Sequence, residues 1–367
     1  LAADVRRATA CLAALLVAGC GAMEAADYYW QGASGQLDLL ARAKPIPEVI
    51  SQSGDPALAR RLQRVQQIRA YASAELALPD NRSYTSYADV GRPFVVWNVF
   101  ATAELSLKPR QWCFPVAGCV SYRGYFTERE AREEAARLHA GGEDVVVSGV
   151  PAYSTLGYFD DPVLSTFVRW PEVEVARMLF HELSHQVVYV KDDTQFNESF
   201  AAAVEEVGVE RWLHAHGNPQ LQAQYARSQK LRAAFRTLVR DTRIRLAALY
   251  AADLPDADKR RQKAAAFVAM REGYELAKAG EPGLAGYDRW FSGYANAGPN
   301  NASVASAGLY SGQVPAFRAL LAEERGDLPK FYARVKELAA MPKAQRDAAL
   351  AQAVKVAQTD EASTLVR

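Results

Sequence analysis

The chain has 367 residues, 50% hydrophobic and 23% charged, a balance that excludes an intrinsically disordered protein. Its 43 basic and 42 acidic residues leave a formal charge of +1, which excludes a nucleic-acid binder that works through bulk electrostatics. Mean hydropathy is −0.18 and no apolar run is long enough for a spanning helix, and there is no Gly-rich phosphate loop and no internal repeat.

The first feature in chain order is an export pattern. Arg6 and Arg7 form a short positive flank, and Ala8 to Gly19 is apolar apart from Thr9, too short to cross a bilayer. This run ends in Val17-Ala18-Gly19-Cys20, which resembles a bacterial lipobox, where small residues admit the peptidase and the Cys thiol receives the lipid. Residues 1–19 are therefore expected to be a lipoprotein signal peptide, and 20–367 a single unit held to the cell envelope through Cys20. With Gly21 next, and no Asp there, the pattern resembles lipoproteins sorted to the periplasmic face of the outer membrane. In an oxidising compartment Cys113 and Cys119 are expected to close a small disulfide loop, with Pro115 and Gly118 allowing the turn.

Asp27 to Arg42 reads as a helix that packs Tyr28, Leu37 and Leu40. A second helix runs from Pro56 to about Leu76, with Leu58, Leu62, Val65 and Ile68 at helical spacing. Phe94 to Phe100 and Cys119 to Tyr125 are β-branched and aromatic, and read as strands. Thr127 and Glu130 form a capping box for a helix ending near Gly141-Gly142. Asp144 to Val150 follows as a strand, and Tyr153 to Phe159 is expected to be extended too. Pro171 opens a helix to about Val190, and Asp193 or Thr194 caps the next, which Gly217 closes. Beyond Pro219 the chain reads as helical except for Ser292 to Gly312. The whole is an α+β unit with its sheet in the part up to about residue 216 and a helical remainder.

The chemistry lies in His181-Glu182-Leu183-Ser184-His185. Residues four apart share a helix face, so both imidazoles can reach one metal ion. Glu182 is rotated by about 100°, which suits a general base acting on a metal-held water. Two buried histidines satisfied by ordinary hydrogen bonds are the alternative, but the apolar flanks Val175, Met178, Leu179, Val187 and Val188 make that costly. A catalytic zinc needs a third protein ligand. Val188 and Lys191 stand where the long metzincin pattern requires Gly and His. A four-residue turn can fold the next helix back and bring Glu198 to the metal, with Phe196, Phe200, Val204 and Val207 on its packed face. Asp192, Asp193 and Glu205 compete for that place. The aspartates read as turn and cap residues. Glu205, seven after Glu198, is either the acceptor of a ligand imidazole N–H or an exposed glutamate. His139, His214 and His216 read as surface residues at helix ends.

His-Glu-x-x-His followed by Asn197-Glu198-Ser199-Phe200-Ala201 resembles the gluzincin metallopeptidases, although the long-spaced aminopeptidases of that clan put more residues before this Glu. More closely, the chain resembles a bacterial family of predicted aminopeptidases. The resemblance rests on the lipobox, Tyr28-Tyr29-Trp30-Gln31 with Gly35-Gln36-Leu37, and Cys113 to Cys119. It extends through Ala152 to Pro162 and Phe180 to Ala201, and is less distinct in the helical C-terminal part. It implies a mostly helical zincin-like fold and a peptidase holding one Zn2+ through His181, His185 and Glu198, with Glu182 as base and a peptide as substrate. In that clan the strand before the metal helix often edges the cleft. This makes Tyr153 and Tyr158 candidate oxyanion donors and Gly157 a place for a substrate backbone to approach by strand addition. Each tyrosine taken singly fits a core position with a bonded hydroxyl better than that role. The rivals are a non-catalytic zinc-binding envelope lipoprotein, against which Glu182 argues, and a zinc endopeptidase. No anchor for a free α-amino group is visible, and the oligomeric state is open.

Overall fold

The computed structural model describes residues 26–114, 118–293, 297–309 and 312–365. The basic flank, the apolar run, Cys20 and the loop centre 115–117 lie outside the described residues. Helix α1 (26–42) sets Tyr28 between Phe114 and Tyr125, at ring-centroid distances of 5.5 and 5.6 Å, and buries Leu39. Leu37 is 65% exposed, so the expectation that it packs inward is corrected. At about 100° per residue Leu39 falls on the side of Tyr28 and Gly35, and Leu37 falls opposite.

Strand β1 (Lys44–Pro45) leads into α2 (Ile46–Gln52) and α3 (Pro56–Ala74). Asp55 caps α3 by accepting from the N–H groups of Ala57 and Leu58, and Leu62, Val65, Ile68 and Ala72 form its buried stripe. Then come β2 (Ser86–Ala88), β3 (Val96–Ala103), β4 (Trp112–Phe114), β5 (Gly118–Val120), β6 (Arg123–Tyr125), α4 (Glu128–Ala140), β7 (Glu143–Val150) and β8 (Val163–Leu164). The main sheet has the order β6-β3-β7, antiparallel throughout, with Val96 opposite Val150 and Ala103 opposite Glu143. β3 is buried on both faces, and its sequence is accordingly mostly apolar, with Asn98 and Thr102 the polar positions. Trp97, Val99 and Ala101 meet Ala131, Ala135 and Leu138 of α4. Beside this sheet stand the small sheet β1-β2-β8 and the hairpin β4-β5.

Tyr153 to Phe159 is a turn and not a strand. Leu156 and Gly157 adopt φ of 57° and 83°, and the Asp161 carboxylate accepts from both N and Oγ1 of Thr155. These bonds and the positive φ values fold the segment into a turn, so Gly157 does not lie on the extended strand edge expected for peptide addition.

Helix α5 (Glu172–Ser184) follows Pro171, which takes the N-cap position without a side-chain bond, and ends six residues before Val190. Beyond it, the backbone N–H and C=O of Val190 bond to the Asn197 amide, which draws residues 186–190 out of helical register. Asp193 caps α6 (Thr194–His216), nearly all of whose faces are buried. Helices α7 (Pro219–Ala251) and α8 (Asp256–Gly280) form a long hairpin, followed by a 3-10 turn and α9 (Asp288–Ser292). α10 (Asn301–Leu309) is helical where a loop was expected, because Asn300 Oδ1 accepts the Ser303 N–H and Asp144 accepts the Asn301 N–H. The chain closes with α11 (Val314–Glu323), α12 (Leu328–Ala339) and α13 (Lys343–Leu365). One apolar cluster runs from Leu39 to Ala353, and α6 is its axis: Phe200 meets Phe317, Phe331 and Tyr332. The architecture is α+β, mostly helical with small sheets.

Candidate metal centre

α5 carries His181 and His185 on one face, with their rings 4.9 Å apart and nearly perpendicular. α6 packs against α5 closely enough that a Cβ at Gly208 would stand 2.7 Å from the Phe180 ring. This approach brings Glu198, in the first turns of α6, opposite the histidines. Glu198 Oε2 lies 3.3 Å from His181 Nε2 and 3.9 Å from His185 Nε2. The three donor atoms lie within 4.8 Å of one another. A tetrahedral zinc with ligand bonds of about 2.0–2.1 Å has ligands about 3.3 Å apart, so the cluster needs little contraction to hold one. The donor set, two imidazoles and a carboxylate, is also that of a zinc site with an open position.

The surroundings fit a divalent cation. Glu182, Glu198 and Glu205 are all buried, and Arg177 pairs with Glu205. Burial alone would push the Glu198 and Glu205 carboxyls up, but His181 and His185 hold Glu198 below its usual range, and the charge of Arg177 with the bond from His181 does the same for Glu205. Burial would also lower His181, yet its bonds to Glu198 and Glu205 carry it up to about 10, whereas burial takes His185 down to about 4. Burial raises Glu182 to about 7 against the pull of His181. These are properties of the bare side chains, and a cation between them would favour neutral imidazoles and ionised carboxylates. His185 Nδ1 is buried and without a partner.

Glu205 takes the supporting position. Its Oε2 lies 2.9 Å from His181 Nδ1, which leaves Nε2 directed at Glu198. Arg177 binds the other Glu205 oxygen and also Glu174, 2.9 Å away, and Glu174 is tied to Arg232 of α7. Glu182 sits beside the cluster, and no hydrogen bond among the described residues holds its carboxylate, so it is free to take a water.

Asp192 and Asp193 are engaged elsewhere. Asp192, at φ 68°, accepts the Cys119 N–H at 2.6 Å. Gly118, at φ 75°, lies so close to Lys191 and Asp192 that only a residue without a Cβ fits. Cys113 and Cys119 face each other across this hairpin, sulfur to sulfur. Asp193 bonds to Arg346 at 2.6 Å and Lys343 at 3.0 Å. Tyr153 donates its hydroxyl to Gln36, and Tyr158 is 72% exposed. His139, His214 and His216 are exposed.

Several residues near the site escaped the sequence reading. Arg177 precedes His181 by one helical turn, and that spacing was the available clue. Asn197 fixes the turn that aims Glu198. Tyr122 packs on Phe100, and burial together with the nearby charge of Glu198 holds its phenol far above the ordinary value, so it stays protonated. Nothing in the sequence marks Tyr122, which lies in the short connection from β5 to β6, where the chain passes from the hairpin into the main sheet.

The fold and site define an α+β protein with a buried His-His-Glu cluster able to hold a metal ion. The family described as "Putative aminopeptidase" matches residues 27–350, and the chain belongs to that family. No curated protein and no solved structure matches it significantly.

Proposed function

We propose that the protein is a zinc-dependent, gluzincin-type peptidase, an aminopeptidase in keeping with its family, held to the cell envelope by a lipid on Cys20. The observation that carries the catalytic part is the convergence of His181, His185 and Glu198 beside an unbonded, buried Glu182. A zinc ion there would polarise the scissile carbonyl and acidify a water. Glu182 takes the proton of the attacking water and delivers it to the leaving amine. Glu205 and Arg177 hold His181 in the tautomer that presents Nε2. Tyr153 is engaged by Gln36 and Tyr158 is exposed, so the partly buried Tyr122, whose phenol the charges of Glu198 and Glu182 help to keep protonated, is the tyrosine we assign to donate to the developing oxyanion.

The test is a peptide-library digest with and without chelator, read by mass spectrometry. Amino-terminal trimming that stops on chelation and returns with zinc is expected. Internal cleavage would make the enzyme an endopeptidase, and intact peptides beside a fully zinc-loaded protein would leave a binding module. Export through residues 1–19, attachment at the periplasmic face of the outer membrane and a Cys113–Cys119 disulfide complete the proposal. Mass spectrometry of protein taken from envelope fractions, alkylated without reductant, checks all three.

A further inference from the structure

We propose that the outward face of α1 rests on the bilayer surface, which makes this helix a second, interfacial contact beside the lipid on Cys20; this builds on the lipid-anchor reading above. The helix has three distinct sides. Its inner side is fixed to the body: Tyr28 lies under the Arg123 guanidinium at 4.2 Å, Gln31 bonds to the backbone of Gly124 and Phe126, and Leu39 is buried. These bonds stop the helix from rolling. Asp27, Ser34, Asp38 and Arg42 form a polar flank. The remaining side is Ala26, Tyr29, Trp30, Ala33, Leu37 and Ala41, all exposed and without a charge. At about 100° per residue these six fall within an arc of about 120°. Trp30 is 74% exposed, Leu37 65% and Tyr29 49%.

An apolar stripe of this kind needs an occupant. The chain itself indicates a lipid surface. Only residues 21–25 separate Cys20 from α1, and five residues fully extended reach roughly 17 Å, so a lipid on Cys20 keeps the start of the helix within about that distance of the headgroups. Trp and Tyr are the side chains that favour the membrane–water boundary, and Leu supplies the apolar depth.

The experiment uses the chain from Cys20 onward, which keeps every described residue. Cys113 and Cys119 are oxidised beforehand, and Cys20 is coupled to a maleimide phospholipid in vesicles of phosphatidylethanolamine and phosphatidylglycerol with brominated acyl chains. Chemical coupling makes the result independent of whether cells lipidate Cys20, which the mass of the envelope protein decides separately. Bromine should quench part of the tryptophan fluorescence, and Trp30→Phe should remove that quenched part. Tyr29→Ser with Leu37→Ser, both at exposed sites, should cut Trp30 quenching at least two-fold while circular dichroism stays unchanged. No quenching in the coupled parent, or equal quenching in Trp30→Phe, overturns the proposal. So does a concentration-dependent dimer that Trp30→Ser abolishes and that vesicles fail to dissociate, because a second copy would then cover the face.

Discussion

Removing the Glu205 carboxylate should weaken zinc binding without touching a ligand. Glu205 accepts from His181 Nδ1 at 2.9 Å, and its other oxygen is held by Arg177. Both partners of the histidine bond are almost fully buried, so water cannot replace what is lost. A buried hydrogen bond to a charged group contributes about 1.5–3 kcal/mol, and supporting partners of metal-bound histidines change metal affinity by about 10–100-fold, two figures that agree at about 1.4 kcal/mol per decade. Glu205→Ala should therefore raise the zinc dissociation constant about 10–100-fold, measured by competition with a chromophoric chelator. Glu205→Gln keeps one acceptor but loses the charge, and should fall between Glu205→Ala and the parent. Glu206→Gln is the control, since Glu206 pairs with Arg236 and Arg318 and not with the site. Zinc affinity within three-fold of the parent in a folded Glu205→Ala protein would refute the supporting role.

Glu182→Gln should keep stoichiometric zinc and lose hydrolysis by about 10²–10⁴, and a variant as fast as the parent sinks the mechanism. Glu198→Gln should strip zinc in equilibrium dialysis while Asp192→Asn does not. Tyr122→Phe should lower kcat by about 10²–10³ with little change in KM, and an unchanged kcat removes it from the oxyanion role. Asp193→Ala leaves Arg346, 3% exposed, without its carboxylate and should cost about 3–5 kcal/mol in denaturant unfolding. Bonds from Arg346 and Lys343 hold the Asp193 carboxyl below its usual range, so its contribution is present above the unfolded-state pKa and lost as pH falls through the folded value. Acid unfolding of Asp193→Ala should lack that component.

The parts of the fold legible in the sequence are those set by local rules. Thr127 and Asp193 cap the helices they precede, Pro56 opens α3, and the apolar stripe of α3 follows its 3.6-residue period. The misread parts are decided by distant partners. α10 starts where Asp144, more than 150 residues earlier, accepts the Asn301 N–H. The 153–159 segment turns because Asp161 competes for its backbone. Leu37 looked like core because a helical period alone does not say which of two apolar sides faces inward. In the site, the spacing of His181, Glu182 and His185 is a property of one helix and was readable, whereas Arg177 needed the charge pattern one turn earlier and Tyr122 arrives from the connection between β5 and β6.

Glu198 shows why a motif is necessary but not sufficient. Its approach to His181 depends on the turn between α5 and α6, and three unrelated segments hold that turn. Asn197 binds both backbone groups of Val190 from within. The β4-β5 hairpin grips Asp192 through the Cys119 N–H, with Gly118 allowing the contact. α13 pins Asp193 through Arg346 and Lys343. The first of these sits inside the recognisable motif, the second in a conspicuous cysteine loop, and the third in a C-terminal helix whose sequence looks unremarkable. A buried arginine that reaches back some 150 residues to a cap has no local signature, yet its loss would free the turn that aims the third ligand. The C-terminal half is therefore part of the scaffold of the candidate metal centre, and Arg346→Met should lower zinc affinity together with stability, whereas substitution of the exposed Gln352 on the same helix should change neither.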